Sequence, residues 1–225
     1  IVLVLLPLLI FIFFTAVLFR PYIFGGKVPI PGDILIGHYH PWKDVVWEGR
    51  MAGYPIKNFI LFDGIRQTLP WRLLAIEQLK SGKWPLWNPY IFSGTPLLGN
   101  LQVAVLYPFN ILFFILPKFD AWSIYILLQP ILAGLFTYFF LRTISCSRKA
   151  SLLAGICFGF SLIMMNHLEL GINGHTALWL PLGLGAINKI QQSGRWRWGL
   201  VLMIAMAMSL LGGYPPPVIY NFIIV

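Results

Sequence analysis

The sequence predicts an all-α, polytopic membrane protein: a bundle of transmembrane helices with one large first loop on a single face. Three observations predict it. Hydrophobic residues make up 58% of the chain and charged residues only 10%, and the mean hydropathy is +0.78, outside the range of ordinary soluble domains. The apolar residues come in long runs of membrane-spanning type. Lys and Arg between the later runs gather in two short loops, as they do on the cytoplasmic side of membrane proteins.

Five apolar segments stand out, 1–19, 101–117, 121–141, 150–166 and 198–211, with a weaker sixth, 176–190, that contains Pro181. Segment 1–19 is too long for the apolar region of a signal peptide, and no small-residue cleavage pattern follows it. There is no initiator Met, residue 1 already lies in an apolar run, and 218–225 reads as the start of another span. The chain is therefore expected to be the N-terminal portion of a larger protein. Cys146 falls in a basic loop and Cys157 in an apolar run, so different depths separate them and no disulfide is expected. The net charge of +9 belongs to membrane topology, and no nucleic-acid partner is expected.

Loops 142–149 (Arg142, Arg148, Lys149) and 189–197 (Lys189, Arg195, Arg197) carry the basic clusters. Two spans separate them, so both lie on the cytoplasmic side. Segment 121–141 then begins outside. If 101–117 also crossed, residues 20–100 would be inside. Its Gln102, Pro108 and Asn110, and the three residues separating it from 121, favour an interfacial helix instead. Residues 20–120 then form a large loop on the outer face of the membrane, and the expected spans are 1–19, 121–141, 150–166, 176–190, 198–211 and the start of a sixth at 218–225.

Six of the seven carboxylates fall in that loop: Asp33, Asp44, Glu48, Asp63, Glu77 and Asp120; the seventh, Glu169, lies in the next outer turn. Acid–base chemistry is thus confined to one face. "GDILIGHYHPW" places Asp33 before Pro41-Trp42, and "FDGIRQTLPWR" places Asp63 before Pro70-Trp71. This loose half-repeat brings two carboxylates to the membrane surface, each beside a Trp that anchors at headgroup level. Pro70 opens and Gly82 closes a predicted helix, "PWRLLAIEQLKSG", whose apolar residues fall nearly all round it. After it, "GKWPLWNPYIFSGTPLLGN" prescribes a fixed path of turns with Trp84 and Trp87 as anchors. His167, Glu169 and His175 offer metal-ligand types at a spacing too sparse to define a site. Nucleotide-loop, dinucleotide, Cys-x-x-Cys, zinc-protease and serine-hydrolase motifs are absent.

The runs D-x3-Q-x2-PWR (Asp63, Gln67, Pro70, Trp71, Arg72), "PLWNPYIFSGTPLLGNLQ", "YPFNILFFILP", "GLFTYFFLRTISCSRKASLLAGICFGFS" and "TALWLPLGLGAINKI" resemble the YfhO-like bacterial membrane proteins. The resemblance spans nearly the whole chain in order, and the PLWNP stretch is its most specific part. It implies a GT-C-like transmembrane helix bundle whose first outer loop holds a catalytic Asp and helices lying on the bilayer. It also implies a glycosyltransferase that moves a sugar from a polyprenyl-phosphate donor to a glycan or other cell-envelope acceptor. Asp63 and Asp33 match acidic positions of that pattern, and which of them is the base stays open. Such chemistry needs a carboxylate to deprotonate the acceptor hydroxyl and cations to steady the departing phosphate; Arg66 and Arg72, flanking Pro70, are the cations expected. Gln67, Trp87, Asn88 and His175 complete the expected substrate-binding set. The use of a divalent metal stays open. The alternatives are a transporter or flippase of lipid-linked glycans and a non-catalytic membrane subunit.

Overall fold

The computed structural model describes residues 2–46, 49, 52 and 61–225, with side chains from Leu5 onward. Glu48, one of the six loop acids, lies outside the described residues. The chain is mostly helical. In order, the helices are α1 (Val2–Leu18), α2 (Arg20–Gly25), α3 (Asp33–His38), α4 (Leu69–Lys80), α5 (Leu112–Ile115), α6 (Lys118–Thr143), α7 (Arg148–Gly159), α8 (Leu162–Asn166), α9 (Asn173–Ala177), α10 (Leu180–Ser193), α11 (Trp196–Leu211) and α12 (Pro215–Ile224). The strands described are β1 (Trp87–Asn88) and β2 (Thr95–Pro96), an antiparallel pair in the register Trp87↔Pro96 and Asn88↔Thr95.

The central element is α6, on which α1, α7 and α10 pack. Its 26 residues make it about 39 Å long at ~1.5 Å per residue. By length and composition, Lys118–Thr143 and Arg148–Asn166 are the two described stretches apolar and long enough to cross a membrane. Small residues let the neighbours approach α6 closely. A Cβ on Gly134 would meet the Phe11 ring at 2.7 Å, one on Gly155 the Gly134 carbonyl oxygen at 2.7 Å, and one on Gly159 the Pro130 carbonyl oxygen at 2.8 Å. Phe11 is fully buried in this seam, so α1, α6 and α7 lock around one ring. Glycines four apart on α7 are the arrangement that brings helix backbones together where apolar burial alone does not select a partner.

The loops sort to two ends. At one end Asn188 and Gln192 of α10 both donate to the Thr143 carbonyl at 2.8 Å, and Leu6 and Pro7 of α1 share a groove with Arg148 and Lys149. The start of α1 and the basic loops therefore lie together. At the opposite end Trp122 Nε1 donates to the Pro29 carbonyl at 3.0 Å, Lys118 pairs with Glu77, and Gly213 packs against the Leu101 carbonyl and Ala104. Both flanks of 101–117 contact this same end, so the segment does not traverse the bundle. Here too Ser209 and Asn221 donate to the Thr176 carbonyl at 3.1 Å, which fastens α11 and α12 to α9.

Three expected elements differ in form. Segment 101–117 is not one interfacial helix: two 3₁₀ turns, Leu101–Val103 and Pro108–Ile111, precede the single turn of α5. Ala104 at φ 51 breaks the first turn, and extended Tyr107 before Pro108 breaks it again. Segment 150–166 is divided into α7 and α8, because Ser161 turns extended and caps the next helix by accepting from Met164 N. The 176–190 span begins at Leu180, where Pro181 occupies the first turn, and it ends at Gly194 in the left-handed region. The helix expected over 70–82 is present as α4, with Gly82 at φ 75 beyond its end.

The α1–α6–α7 seam yields a test. Gly155→Ala must push α7 off the Gly134 carbonyl, a backbone obstacle that cannot swing aside. The expected loss is about 1–3 kcal/mol, read as a lower melting temperature in detergent. Gly199→Ala, a position with open space around it, should leave the melting temperature unchanged.

Candidate functional site

A buried polar cluster underlies the end of the bundle where the acids lie. His175, in α9, is fully buried. Its Nε2 lies 2.9 Å from the Tyr125 carbonyl, which can only accept, so Nε2 carries the proton. Nδ1 is then an acceptor, and the Tyr107 hydroxyl, 3.1 Å away, donates to it. Trp179 Nε1–H in turn donates to the Tyr107 oxygen at 3.2 Å. One imidazole thus ties segment 101–117, α6 and the α9–α10 corner together. Burial pushes the His175 pKa down to about 3, against the opposing backbone hydrogen bond to Tyr125, and the Arg72 charge adds to the depression. Burial likewise raises the Tyr107 phenol well above its ordinary value.

Three residues expected to contact substrate are buried. His175 has no exposed surface; its ring nitrogens serve the fold. Arg72 is 1% exposed, because it occupies the buried face of α4 with Leu69, Ala75 and Ile76. Its guanidinium lies 4.3 Å from the Tyr125 ring centroid and 5.9 Å from that of Trp122. Asn88 is 2% exposed, and its Oδ1 accepts the Tyr90 N–H at 3.0 Å, closing a turn within the hairpin loop. Trp87 is half exposed. Its ring lies against Gly94, where any side chain would collide with it, and its carbonyl accepts from Gln78 at 3.0 Å. The proline- and glycine-rich stretch is therefore a braced hairpin fastened to α4.

The acids are arranged differently. Asp63 is exposed and Asp33 half-buried at the start of α3. They are 30 residues apart in sequence, yet their turns meet at Gly64. A Cβ there would lie 3.3 Å from the Pro31 ring and 3.3 Å from the Glu169 carbonyl. The absence of a side chain at 64 thus lets three acid-bearing turns, those of Asp33, Asp63 and Glu169, pack on one point. Beside them opens a cleft of about 730 Å³, walled by Leu18, Phe19, Leu61, Leu162 and Met165, with Lys27 and Glu169 as its charged members. Its walls are mainly apolar and include the C-terminal end of α1. A second, shallower cleft of about 380 Å³ lies between α4 and the hairpin and includes Arg66, Glu77 and Asn88. Arg66 is exposed and covers the Phe62 ring at 4.6 Å; Gln67 is half-buried in the π-helical turn before α4. Among the described residues no three His, Cys, Asp or Glu side chains are grouped as metal ligands.

Sequence reasoning missed Lys27, which had no motif around it, and weighed Glu169 only as a metal-ligand type. It also missed the Tyr107–His175–Trp179 lock, whose members are 68 and 72 residues apart and leave no local pattern. The chain matches no protein-family model, no curated protein and no solved structure.

The His175 lock predicts a pH dependence. The unfolded chain takes up a proton near the ordinary His pKa of about 6.5, whereas the folded chain resists protonation down to about 3. The contribution of neutral His175 is fully present above pH 6.5 and is lost progressively as pH falls toward 3. At pH 5 the loss is roughly 2 kcal/mol. Thermal melts of the wild type and of His175→Gln in detergent should converge as pH falls from 7 to 5. Parallel curves would remove the buried-imidazole account.

Proposed function

We propose that the chain belongs to a multi-pass membrane glycosyltransferase of the GT-C type, working on the outer face of the membrane with a polyprenyl-phosphate sugar as donor. The observation that carries this reading is the meeting of the Asp33, Asp63 and Glu169 turns beside an apolar cleft at the end of the bundle. Its membrane setting is supported by the outward apolar surface of the helices. Leu6, Leu9 and Phe13 of α1, Met203 of α11, and Phe222 and Ile223 of α12 are all more than half exposed. A continuous surface of this kind is costly in water and at rest in lipid.

In this reading the polyprenyl chain enters along the apolar walls formed by Leu18, Phe19 and Leu162, and the donor phosphate stops at the polar rim. One carboxylate, with Asp63 favoured because it is open to solvent and carries the matched Gln67 and Pro70 context, accepts the proton of the acceptor hydroxyl. The hydroxyl oxygen then bonds to the anomeric carbon. The bond from that carbon to the phosphate oxygen breaks, and its electron pair leaves with the lipid phosphate. Lys27, a member of the cleft, meets the developing negative charge. It takes the place expected for Arg72, whose guanidinium is enclosed in the core. Arg66 remains a second cation at the surface. The hairpin of Trp87 and Asn88 acts as a braced wall over α4, and its indole, half exposed, is available to a sugar face.

The test is a transfer assay on purified protein with polyprenyl-phosphate sugar, comparing Asp63→Asn, Asp33→Asn and Glu169→Gln. Loss of the general base should lower the rate by about 10²–10⁴-fold in one of the three, with the melting temperature retained. Lys27→Ala should lower kcat and also raise the KM for donor, because the cation faces both the donor phosphate and the charge that develops on it. Transfer by all three acid variants within about threefold of wild type would overturn the assignment.

A further inference from the structure

The end of the bundle opposite the acids carries a feature that sugar transfer does not use. Two apolar grooves, of about 200 Å³ and 440 Å³, open on either side of Tyr138 and Arg148, which line both. The first lies against α1 and the start of α7 and includes Lys149; the second lies between α6 and α10 and includes Arg142. The walls are otherwise aliphatic or aromatic. Their charged members are all cations, and all three are exposed.

Among the described residues no carboxylate pairs with these cations. No carboxylate occurs between Asp120 and Glu169 or after Glu169, and those two residues belong to the other end of the bundle. The described ion pairs involve His40 with Asp44 and Lys118 with Glu77 only. Arg142 donates to the Cys146 carbonyl, which holds its guanidinium at the rim of the second groove. Arg148 and Lys149 occupy the first turn of α7, where the helix dipole favours negative charge and disfavours cations. A bound anion would remove that conflict.

We infer that the paired grooves hold an anionic phospholipid. Its phosphate-bearing headgroup meets Arg148, Lys149 and Arg142, and its two acyl chains lie along the grooves on either side of Tyr138. The inference rests on the membrane setting proposed above but not on glycosyl transfer. Two apolar channels diverging from one basic centre match the shape of a diacyl lipid, and the all-cationic rim selects anionic over zwitterionic headgroups. Each cation near an anionic membrane surface contributes about fivefold in binding.

The experiment uses the purified chain in detergent, titrated with phosphatidylglycerol or phosphatidylcholine of identical acyl chains, with bound lipid counted by native mass spectrometry. Phosphatidylglycerol should bind at least about tenfold more tightly, and Arg148→Gln/Lys149→Gln should weaken it roughly 30-fold toward the phosphatidylcholine level. Arg195→Gln/Arg197→Gln, a pair at the same end outside the grooves, should keep the preference. Arg148→Lys should largely restore it, which guards against a folding defect in the double variant. Equal binding of the two lipids, a preference that survives the Arg148/Lys149 change, or full displacement by millimolar inorganic phosphate would each overturn the inference. A failure here with intact sugar transfer would remove the lipid site alone, and lipid binding without transfer would leave it standing.

Discussion

The structure depends on one buried imidazole. His175 sits between the Tyr125 carbonyl and the Tyr107 hydroxyl, and that position settles where three otherwise separate pieces meet. Segment 101–117 has no long helix with which to hold itself; its turns are short and its backbone reverses at Ala104. Among the described residues, its side-chain hydrogen bonds to the rest of the bundle run through Tyr107, to His175 and from Trp179; the Asn110 bonds to the Ala104 and Val105 carbonyls are internal to the segment. A buried hydrogen bond contributes only about 1 kcal/mol net, but leaving its partner unpaired costs about 1–3. The cluster therefore specifies register more than it adds stability. Arg72 shows the other side of the same rule. Its stacking on Tyr125 gives ~2 kcal/mol when desolvated, which offsets part of the cost of taking its charge out of water.

The acid-bearing end inherits its shape from this lock and from the seam around Phe11. The seam places α1 against α6 and α7 through contacts that no larger residue at Gly134 or Gly155 would allow. The upper end of α1 thereby becomes a wall of the 730 Å³ cleft. Gly64 performs the equivalent task for the loops, since a side chain there would separate the Asp63 turn from Pro31 and Glu169. The sequence-distant turns that carry these acids meet where Gly64 has no side chain.

Much of this was legible in the sequence. Apolar run length and basic loops predicted which loops share an end, because that inference uses only counting. The helix following Asp63 was legible because Pro and Gly punctuate it. The burial of Arg72 was not: the apolar residues of α4 surround it, so no stripe marked the inward face, and an arginine is ordinarily exposed. The broken form of 101–117 was hidden because left-handed Ala104 has no residue signature, unlike Gly82 or Gly194. The division at Ser161 was written in a capping residue, but the hydropathy of 150–166 concealed it. His175 was expected as a metal-ligand type and a substrate contact, and only its partner 68 residues away reveals its place in the core.

The central claim is that the end carrying Asp33, Asp63 and Glu169 faces out and the end carrying the basic loops faces in. The basic end carries its own reporter, Cys146 in the first basic loop, and Ser93 is exposed in the hairpin loop at the acid-bearing end. The most direct measurement is labelling of intact cells with a membrane-impermeant maleimide. It compares wild type carrying Cys157→Ser with the same chain carrying Ser93→Cys and Cys146→Ser. The account predicts that the thiol at position 93 reacts at once and that Cys146 reacts only after permeabilisation. Reaction of Cys146 in intact cells, with position 93 protected until the membrane is opened, would contradict it.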